Sequence, residues 1–403
     1  MNHANKCLKK FWYRKKILLL HKIKLYMKIF YLYTALVTKG GADRVITEKA
    51  NWLVEHGFDV AIVTDTQLGR PPVFPLSSKI RLIDLEVDFS KEYGHNFLMR
   101  IYFYYKLMYD YRRKLEALLK NEKPDVVITT LGREIDFLTK IKDGSKKIGE
   151  VHTTKFFLRN FHLLERKNFL FKYLTKYFRW RLMRQAKQLD ALVVLGEQHK
   201  DDWADVHNVC VIPNFYPFYP DVASSCDSKQ VIMVGRYNDA KGYDYLIDAW
   251  EIVHKRFPDW TLQVYGSGEY YDQVVNWIAE RNLGNSIILH EPTDNIMEKY
   301  LESSICVMSS RYEGFSMVLV EAMASGVPCV SFDCPYGPRN IIRNEEDGLL
   351  VDYLNSQALA DGLCRLIEDE NLRKRLGRKA RENIKRFSKD EIMDKWSRLF
   401  YAL

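Results

Sequence analysis

The chain runs twice through one pattern. Short runs of β-branched and aromatic residues alternate with stretches of helical periodicity, and a proline- and serine-rich segment separates the two passes. Such alternation belongs to parallel sheets with helices on both faces. The first pass predicts strands at 28–33, 59–64, 80–86, 125–130, 147–152 and 191–195, with helices over 42–56, 96–120, 133–142, 161–187 and 197–205. Residues 213–229 hold three prolines and three serines and read as a linker. The second pass predicts strands at 230–235, 261–265, 286–290, 305–309 and 328–332, and helices over 242–256, 269–281, 294–303 and 316–325. Three helical stretches finish the chain, the last opened by Ser388 as N-cap. Two doubly wound units in one chain make the cleft between them the default ligand site.

A chain of 403 residues has room for two such domains of roughly 200 residues each. Its 47% hydrophobic and 28% charged content is that of a core-forming protein. The longest apolar run near the start, Ile17 to Leu20, falls far short of the ~20 residues that span a bilayer. A polytopic membrane protein, a disordered tail and a small disulfide scaffold are thereby excluded.

The net charge of +9 is concentrated in two places. Residues 1–26 carry eight Lys/Arg and no acid, and residues 155–187 carry ten with the single acid Glu165. The remainder is net acidic. A charge run is usually a solvated face, but the second stretch interleaves its cations with Phe156, Phe157, Phe161, Phe169, Phe171, Tyr173, Tyr177, Phe178 and Trp180. That composition suits a surface meeting anionic lipid. No nucleic-acid-binding motif accompanies it, so no nucleic-acid partner is expected. The seven cysteines form no CxxC pair or metal-ligand spacing and read as reduced, mostly buried thiols of a cytosolic protein. Residues 1–26 lack the apolar length and cleavage site of a signal peptide. Two readings stand for them, a basic membrane-surface arm or an over-long start; the second is preferred, because Met27 opens a clean strand.

The chemistry concentrates in the second pass. Glu313 and Glu321 lie eight apart, with Gly314 between a strand end and a helix start. Backbone amides at such a start, backed by the helix dipole, favour anionic or polar ligand groups. Taken alone, two glutamates eight apart are surface residues. Gly235-Arg236 ends the first strand of this half, and Lys241-Gly242 begins its first helix. A guanidinium and an ammonium at a strand's carboxyl end suit a diphosphate, and glycine lets the backbone approach. Gly266-Ser267-Gly268 closes the next strand, and Gly337-Pro338 opens a short helix after Asp333.

This order, completed by Glu321-Ala-Met-Ala-Ser-Gly-Val-Pro328, resembles the nucleotide-sugar domain of the retaining glycosyltransferases of family 4. Thr38-Lys-Gly-Gly-Ala-Asp-Arg44 is similar to that family's glycine loop, Ile148-Gly-Glu-Val-His152 to its strand-end histidine, and Val211-Ile-Pro-Asn214 to the segment entering its linker. The resemblance covers about residues 27–403. It implies an α/β protein of GT-B fold: two Rossmann-like doubly wound domains facing a cleft. The acceptor domain would span 27–215, the nucleotide-sugar domain 216–387, and the C-terminal helix 388–403 would cross back to the first.

Carried over by position, Arg236 and Lys241 would neutralise the departing diphosphate. Glu313 and the amides of Gly314, Phe315 and Ser316 would hold the sugar, and Glu321 the ribose. Gly40 and Gly41 would lie near the diphosphate and the acceptor, Gly235 and Gly266 at the nucleotide, and His152 at the reacting sugar. A lone histidine near a strand end is also often just a hydrogen-bonded core residue. No cofactor or metal is implied, the nucleotide sugar being a substrate. The family's retention is thought to run by front-face substitution, whereas a retaining hydrolase would use a flanking carboxylate pair.

Within the family, Phe332-Asp-Cys-Pro-Tyr-Gly-Pro-Arg-Asn-Ile-Ile342 looks most like bacterial enzymes of capsule, lipopolysaccharide or exopolysaccharide synthesis, with Tyr336 departing from the more usual small residue. That implies transfer of a hexosyl or N-acetylhexosaminyl group from a UDP-sugar to a glycan or polyprenyl-diphosphate-linked acceptor. It also implies a cytoplasmic location at the inner face of the bacterial membrane. Two alternatives remain: a nucleotide-sugar 2-epimerase of the same fold, and a non-catalytic donor- or lipid-binding subunit of a polysaccharide assembly complex. A dehydrogenase is disfavoured, since no G-x-G-x-x-G with a following acid accompanies the first strand.

Overall fold

The computed structural model describes residues 27–92, 94–155, 158–160 and 169–403. The expectations for residues 1–26, and for residues 156–157 and 161–168 of the basic stretch, lie outside the described residues. Two parallel sheets carry the rest. The first has the order β3-β2-β1-β4-β5-β6-β7, built from β1 Lys28–Tyr33, β2 Asp59–Thr64, β3 Arg81–Asp84, β4 Val126–Thr129, β5 Lys146–Glu150, β6 Ala191–Val194 and β7 Val209–Val211. The second has the order β10-β9-β8-β11-β12-β13, from β8 Gln230–Val234, β9 Thr261–Tyr265, β10 Ile287–His290, β11 Ile305–Met308, β12 Cys329–Phe332 and β13 Gly348–Val351.

Both sheets reverse their strand order beside their first strand, between β1 and β4 and between β8 and β11. A crevice opens at the carboxyl ends of the strands at each reversal, which is where such folds bind ligands. The central strands are buried on both faces, as their continuous apolar runs require: Ile29 to Leu32 and Val231 to Met233 are at most 1% exposed.

Two strands were not expected. Among the described residues β7 is a three-residue edge strand paired with β6 alone, and β13 pairs with β12 through Gly348–Val351. Three expected helices are shorter: 133–142 contracts to Ile135–Leu138, 197–205 to Gln198–Asp202, and 294–303 to Ile296–Leu301. In the first of these, Gly132 and Arg133 belong to the turn, tied by the Glu134 carboxylate accepting from the Gly132 amide at 3.1 Å.

Ser388 caps the last helix, Lys389–Ala402, by accepting from the Glu391 amide. That helix lies against the first domain. Trp52 Nε1 donates to Asp390 at 3.0 Å, and Phe58 packs edge-on to Phe400. Six cysteines are described, all free; five are buried and Cys210 is half-buried. No described helix is long and apolar enough to cross a membrane.

Candidate functional site

In the first half, β1 leads into the helix Gly41–Glu55 through a loop fixed by Asp43. The buried Asp43 carboxylate accepts from the Thr38 amide at 2.9 Å, from Thr38 Oγ1 at 3.0 Å and from the Tyr33 hydroxyl at 2.9 Å. This holds Gly40 and Gly41 against the second half. A Cβ on Gly40 would sit 2.7 Å from the Arg236 guanidinium, and one on Gly41 would sit 3.1 Å from Met317 Cγ. Side chains at either position would intrude on the opposite domain.

In the second half, Arg236 follows β8, is exposed, and reaches Thr38 Oγ1 at 3.4 Å. Lys241 ends a 3-10 turn, Asp239–Lys241, that is closed by Gly242 at φ +60. Only glycine fits there, because a Cβ would collide with the Ser309 carbonyl. Ser309 Oγ donates to the Lys241 carbonyl at 2.9 Å, fixing the turn to the end of β11. Lys241 Nζ thereby donates to Glu313 Oε1 at 2.7 Å, and Ser310 Oγ donates to the same oxygen at 2.8 Å.

Gly314 to Ser316 form the entry to the helix Met317–Ala324. Ser316 is its N-cap, accepting from the Leu319 amide. The Phe315 ring is buried edge-on against Phe387, which leaves only its backbone to meet a ligand. The Gly314 carbonyl accepts from His199 Nε2 at 3.0 Å, and burial lowers the affinity of that imidazole for a proton. Tyr336, beside Glu313 in an isolated β-bridge, sits at φ 77, ψ −85, a strained γ-turn conformation. Its hydroxyl donates to Asp202 of the first half at 3.0 Å.

Glu321 lies in the same helix and is buried. The Tyr300 hydroxyl donates to its Oε2 at 3.1 Å, and Arg44 of the first half stands 3.5 Å from Oε1. Burial pushes the Glu321 carboxyl up to about 7, against the opposing pull of Arg44 and Tyr300.

His152 lies two residues beyond the end of β5, not inside the strand as expected. Its carbonyl packs so closely on Gly314 that a Cβ there would collide with it. Its Nε2 is 3.4 Å from Glu150 Oε1, longer than a tight hydrogen bond.

The structure therefore gathers Gly40, Gly41, His152, Arg236, Lys241, Glu313, Gly314, Phe315, Ser316 and Glu321 along one interdomain seam. Gly235 and Gly266 lie behind it. A Cβ on Gly266 would overlap the Gly235 carbonyl, so close packing of neighbouring strand ends already accounts for glycine there. A cavity of about 640 Å³ opens on the first-half side of Arg236, lined among others by Tyr33, Thr38, Arg70, Phe89 and Arg133. Among the described residues no cluster of His, Cys, Asp or Glu is placed to hold a metal ion.

Sequence reasoning assigned no role to Arg44, Ser310, Tyr300 or His199. Arg44 ends the quoted glycine-loop motif and was legible by position; the other three become partners only through the fold.

Residues 39–217 match the family model described as Glycosyltransferase Family 4, and residues 220–383 match Glycosyl transferases group 1. An uncharacterized glycosyltransferase of Haemophilus influenzae is 28% identical over 92% of this chain and 98% of its own length. The amylovoran biosynthesis glycosyltransferase AmsD of Erwinia amylovora is 27% identical over 92% of this chain and 98% of its own. Among solved structures, a mutant of S. aureus TarM in complex with fondaparinux, alpha-GlcNAc-glycerol and UDP superposes with a TM-score of 0.75 at 20% identity. That alignment covers 93% of this chain and 100% of TarM and identifies the fold as GT-B.

Proposed function

The chain belongs to the glycosyltransferases, its two halves matching the Family 4 and group 1 models in turn, and from that membership we propose a retaining transferase of cell-surface polysaccharide synthesis. Its donor is a UDP-linked hexose or N-acetylhexosamine, and its acceptor a glycan or lipid-linked glycan. The observation that carries this reading is the Lys241–Glu313 pair beside Arg236, at the strand reversal of the second sheet and facing the Gly40-Gly41 loop.

Two cations at strand ends match the diphosphate, whose charge grows as the sugar leaves. Glu313 and the amides entering the helix Met317–Ala324 match the sugar, and Glu321 matches the ribose. Support for the donor comes from the TarM mutant, solved in complex with UDP, and for the setting from AmsD, a glycosyltransferase of amylovoran biosynthesis. In the reaction, the bond from anomeric carbon to diphosphate oxygen breaks while the acceptor oxygen bonds the same carbon on the same face. The acceptor's proton passes to the departing diphosphate. The cavity on the first-half side of Arg236 is the acceptor's place.

The reading also includes contact with an anionic bilayer surface. On the helix Phe169–Ala186, Tyr173, Tyr177 and Trp180 are more than half exposed, alongside exposed Lys172 and Lys176. The helix Phe97–Glu122, which the sequence did not single out, adds exposed Tyr102, Tyr105 and Tyr109.

The test is release of UDP from a panel of UDP-sugars by the full chain, with and without glycan acceptors, and the anomeric configuration of any product by NMR. An α-linked product from an α-linked donor supports retention. Donor binding without turnover on every acceptor would favour a binding subunit, and recovery of the C2 epimer an epimerase.

A further inference from the structure

Behind His152 lies a buried ion pair with no part in the reaction as described so far. Lys49, from the helix Gly41–Glu55, and Glu150, the last residue of β5, have side chains only 2% and 0% exposed. Lys49 Nζ donates to Glu150 Oε1, and the Tyr31 hydroxyl donates to Glu150 Oε2. On its other side Lys49 Nζ lies 4.1 Å from the ring centroid of Trp396, so the C-terminal helix roofs the pair. His152 Nε2 faces Glu150 Oε1, the oxygen that Lys49 already holds.

The electrostatics favour one arrangement. Burial alone would raise the Glu150 carboxyl, yet Lys49 and His152 hold it well below the usual carboxylate range. Burial lowers Lys49, and Glu150 opposes that shift. A buried ion pair is a poor way to gain stability, since apolar residues of similar volume often serve as well or better. What it supplies is a fixed, permanently ionised acceptor in a dry place, and the group within its reach that is not itself sealed in is His152.

We propose that Lys49 and Glu150 are a positioning pair for His152. Lys49 clamps Glu150, and Glu150 accepts from the His152 Nε2–H, setting the ring's rotation and its tautomer and leaving Nδ1 as the ring's acceptor. The inference rests on the placement of His152 at the transferred sugar in the function proposed above. It makes the pair a determinant of rate and not of nucleotide binding.

The experiment removes the whole polar cluster at once. The variant K49M/E150L/Y31F leaves no buried charge and no orphaned hydroxyl, whereas Glu150→Gln alone would strand Lys49. Turnover is followed as UDP release from the UDP-sugar that the wild type uses, beside UDP affinity by calorimetry and the melting temperature. The triple variant is expected to melt near the wild type and to bind UDP within about twofold. Its kcat should fall about ten- to hundredfold, the range for a lost hydrogen bond to a charged group. K49M/E150Q should recover part of that loss, because the glutamine carbonyl still accepts from Nε2–H. Wild-type kcat in the triple variant overturns the proposal. If the triple variant does not fold, K49M/E150Q decides: a several-fold loss of kcat at unchanged UDP affinity supports the pair, and wild-type kcat overturns it. His152→Ala separates this from the underlying reading. Full kcat there removes His152 from the reaction and the pair's role with it, while a loss there beside a fully active triple variant overturns the pair alone. A wild type that turns over no donor overturns the function itself.

Discussion

Lys241 and Glu313, 72 residues apart in sequence, share a hydrogen bond of 2.7 Å at the mouth of the second domain's crevice. Each is partly buried, at 20% and 12% side-chain exposure, so the pair is neither a solvated surface contact nor a sealed core bridge. A cation held at the edge of solvent by a carboxylate can turn to a diphosphate, and the carboxylate can then turn to the sugar.

Exchanging partners in this way predicts different failures on the two sides. Glu313→Gln should lower kcat by about 10² or more, because the lost charge acts as positive charge develops on the ring. UDP affinity should stay near wild type or tighten slightly, since Lys241 is released. Lys241→Ala should also lower kcat. Steady-state kinetics beside calorimetry with UDP reads both; wild-type kcat in the two variants would remove the pair from the chemistry.

The two glycines that touch across the seam should differ in stability when given a methyl group. At Gly40 the new Cβ meets the far end of the flexible Arg236, so Gly40→Ala should fold normally while displacing that guanidinium. The expected result is a kcat/KM loss of roughly tenfold, about one charge-assisted hydrogen bond. At Gly314 the Cβ meets the backbone of His152, which cannot yield without moving one domain relative to the other. Gly314→Ala should lower the melting temperature as well as the rate. Equal melting temperatures for the two would contradict the close backbone packing at His152.

These contrasts also show what the sequence could and could not reveal. β1, β2 and β9 were bounded to the residue, because long β-branched runs between turn residues leave one reading. β7 and β13 were missed, because three or four apolar residues at a sheet edge carry too little pattern to separate strand from loop. The glycine loop, Arg236, Lys241 and both glutamates were legible from their order along the chain. Lys49 was not: a lysine within an amphipathic helix reads as solvent-facing, and its partner lies 101 residues away. The exposed tyrosines of Phe97–Glu122 leave no comparable mark in the sequence, because that helix carries both signs of charge and forms no basic stretch.

The exposed face of Phe169–Ala186 should act on lipid and not on donor. Changing Lys172, Lys176 and Arg184 to Gln should weaken sedimentation with vesicles containing anionic lipid, by about 1 kcal/mol per charge at most. UDP release with a short soluble acceptor should barely change. Unaltered sedimentation would return this helix to an ordinary solvated face.

Glu321 supplies a test that needs no substrate to begin. Its carboxyl, ordinarily near 4.5, is pushed up to about 7 by burial despite Arg44 and Tyr300. A group raised in the folded state contributes stability that is fully present below its unfolded value and is lost as pH rises through the folded one. Wild-type stability should therefore fall between pH 5 and 8 relative to Glu321→Gln, which cannot ionise, by on the order of 3 kcal/mol at most. Asp65, also pushed up to about 7 by burial, adds its own slope in this window. That slope is common to both proteins and cancels in the difference. Melting temperatures of the two at pH 5, 6.5 and 8 measure it, and parallel curves would mean Glu321 is not held in the protonated range. Adding UDP then tests the ribose role. An ionised carboxylate can accept from both ribose hydroxyls at once, whereas its protonated form gives up part of that acceptor capacity to its own O–H, so UDP should restore part of the wild type's lost stability at pH 8. It should stabilise Glu321→Gln less, since stabilisation by ligand follows affinity through mass action. Equal stabilisation of both proteins would take Glu321 out of the nucleotide site.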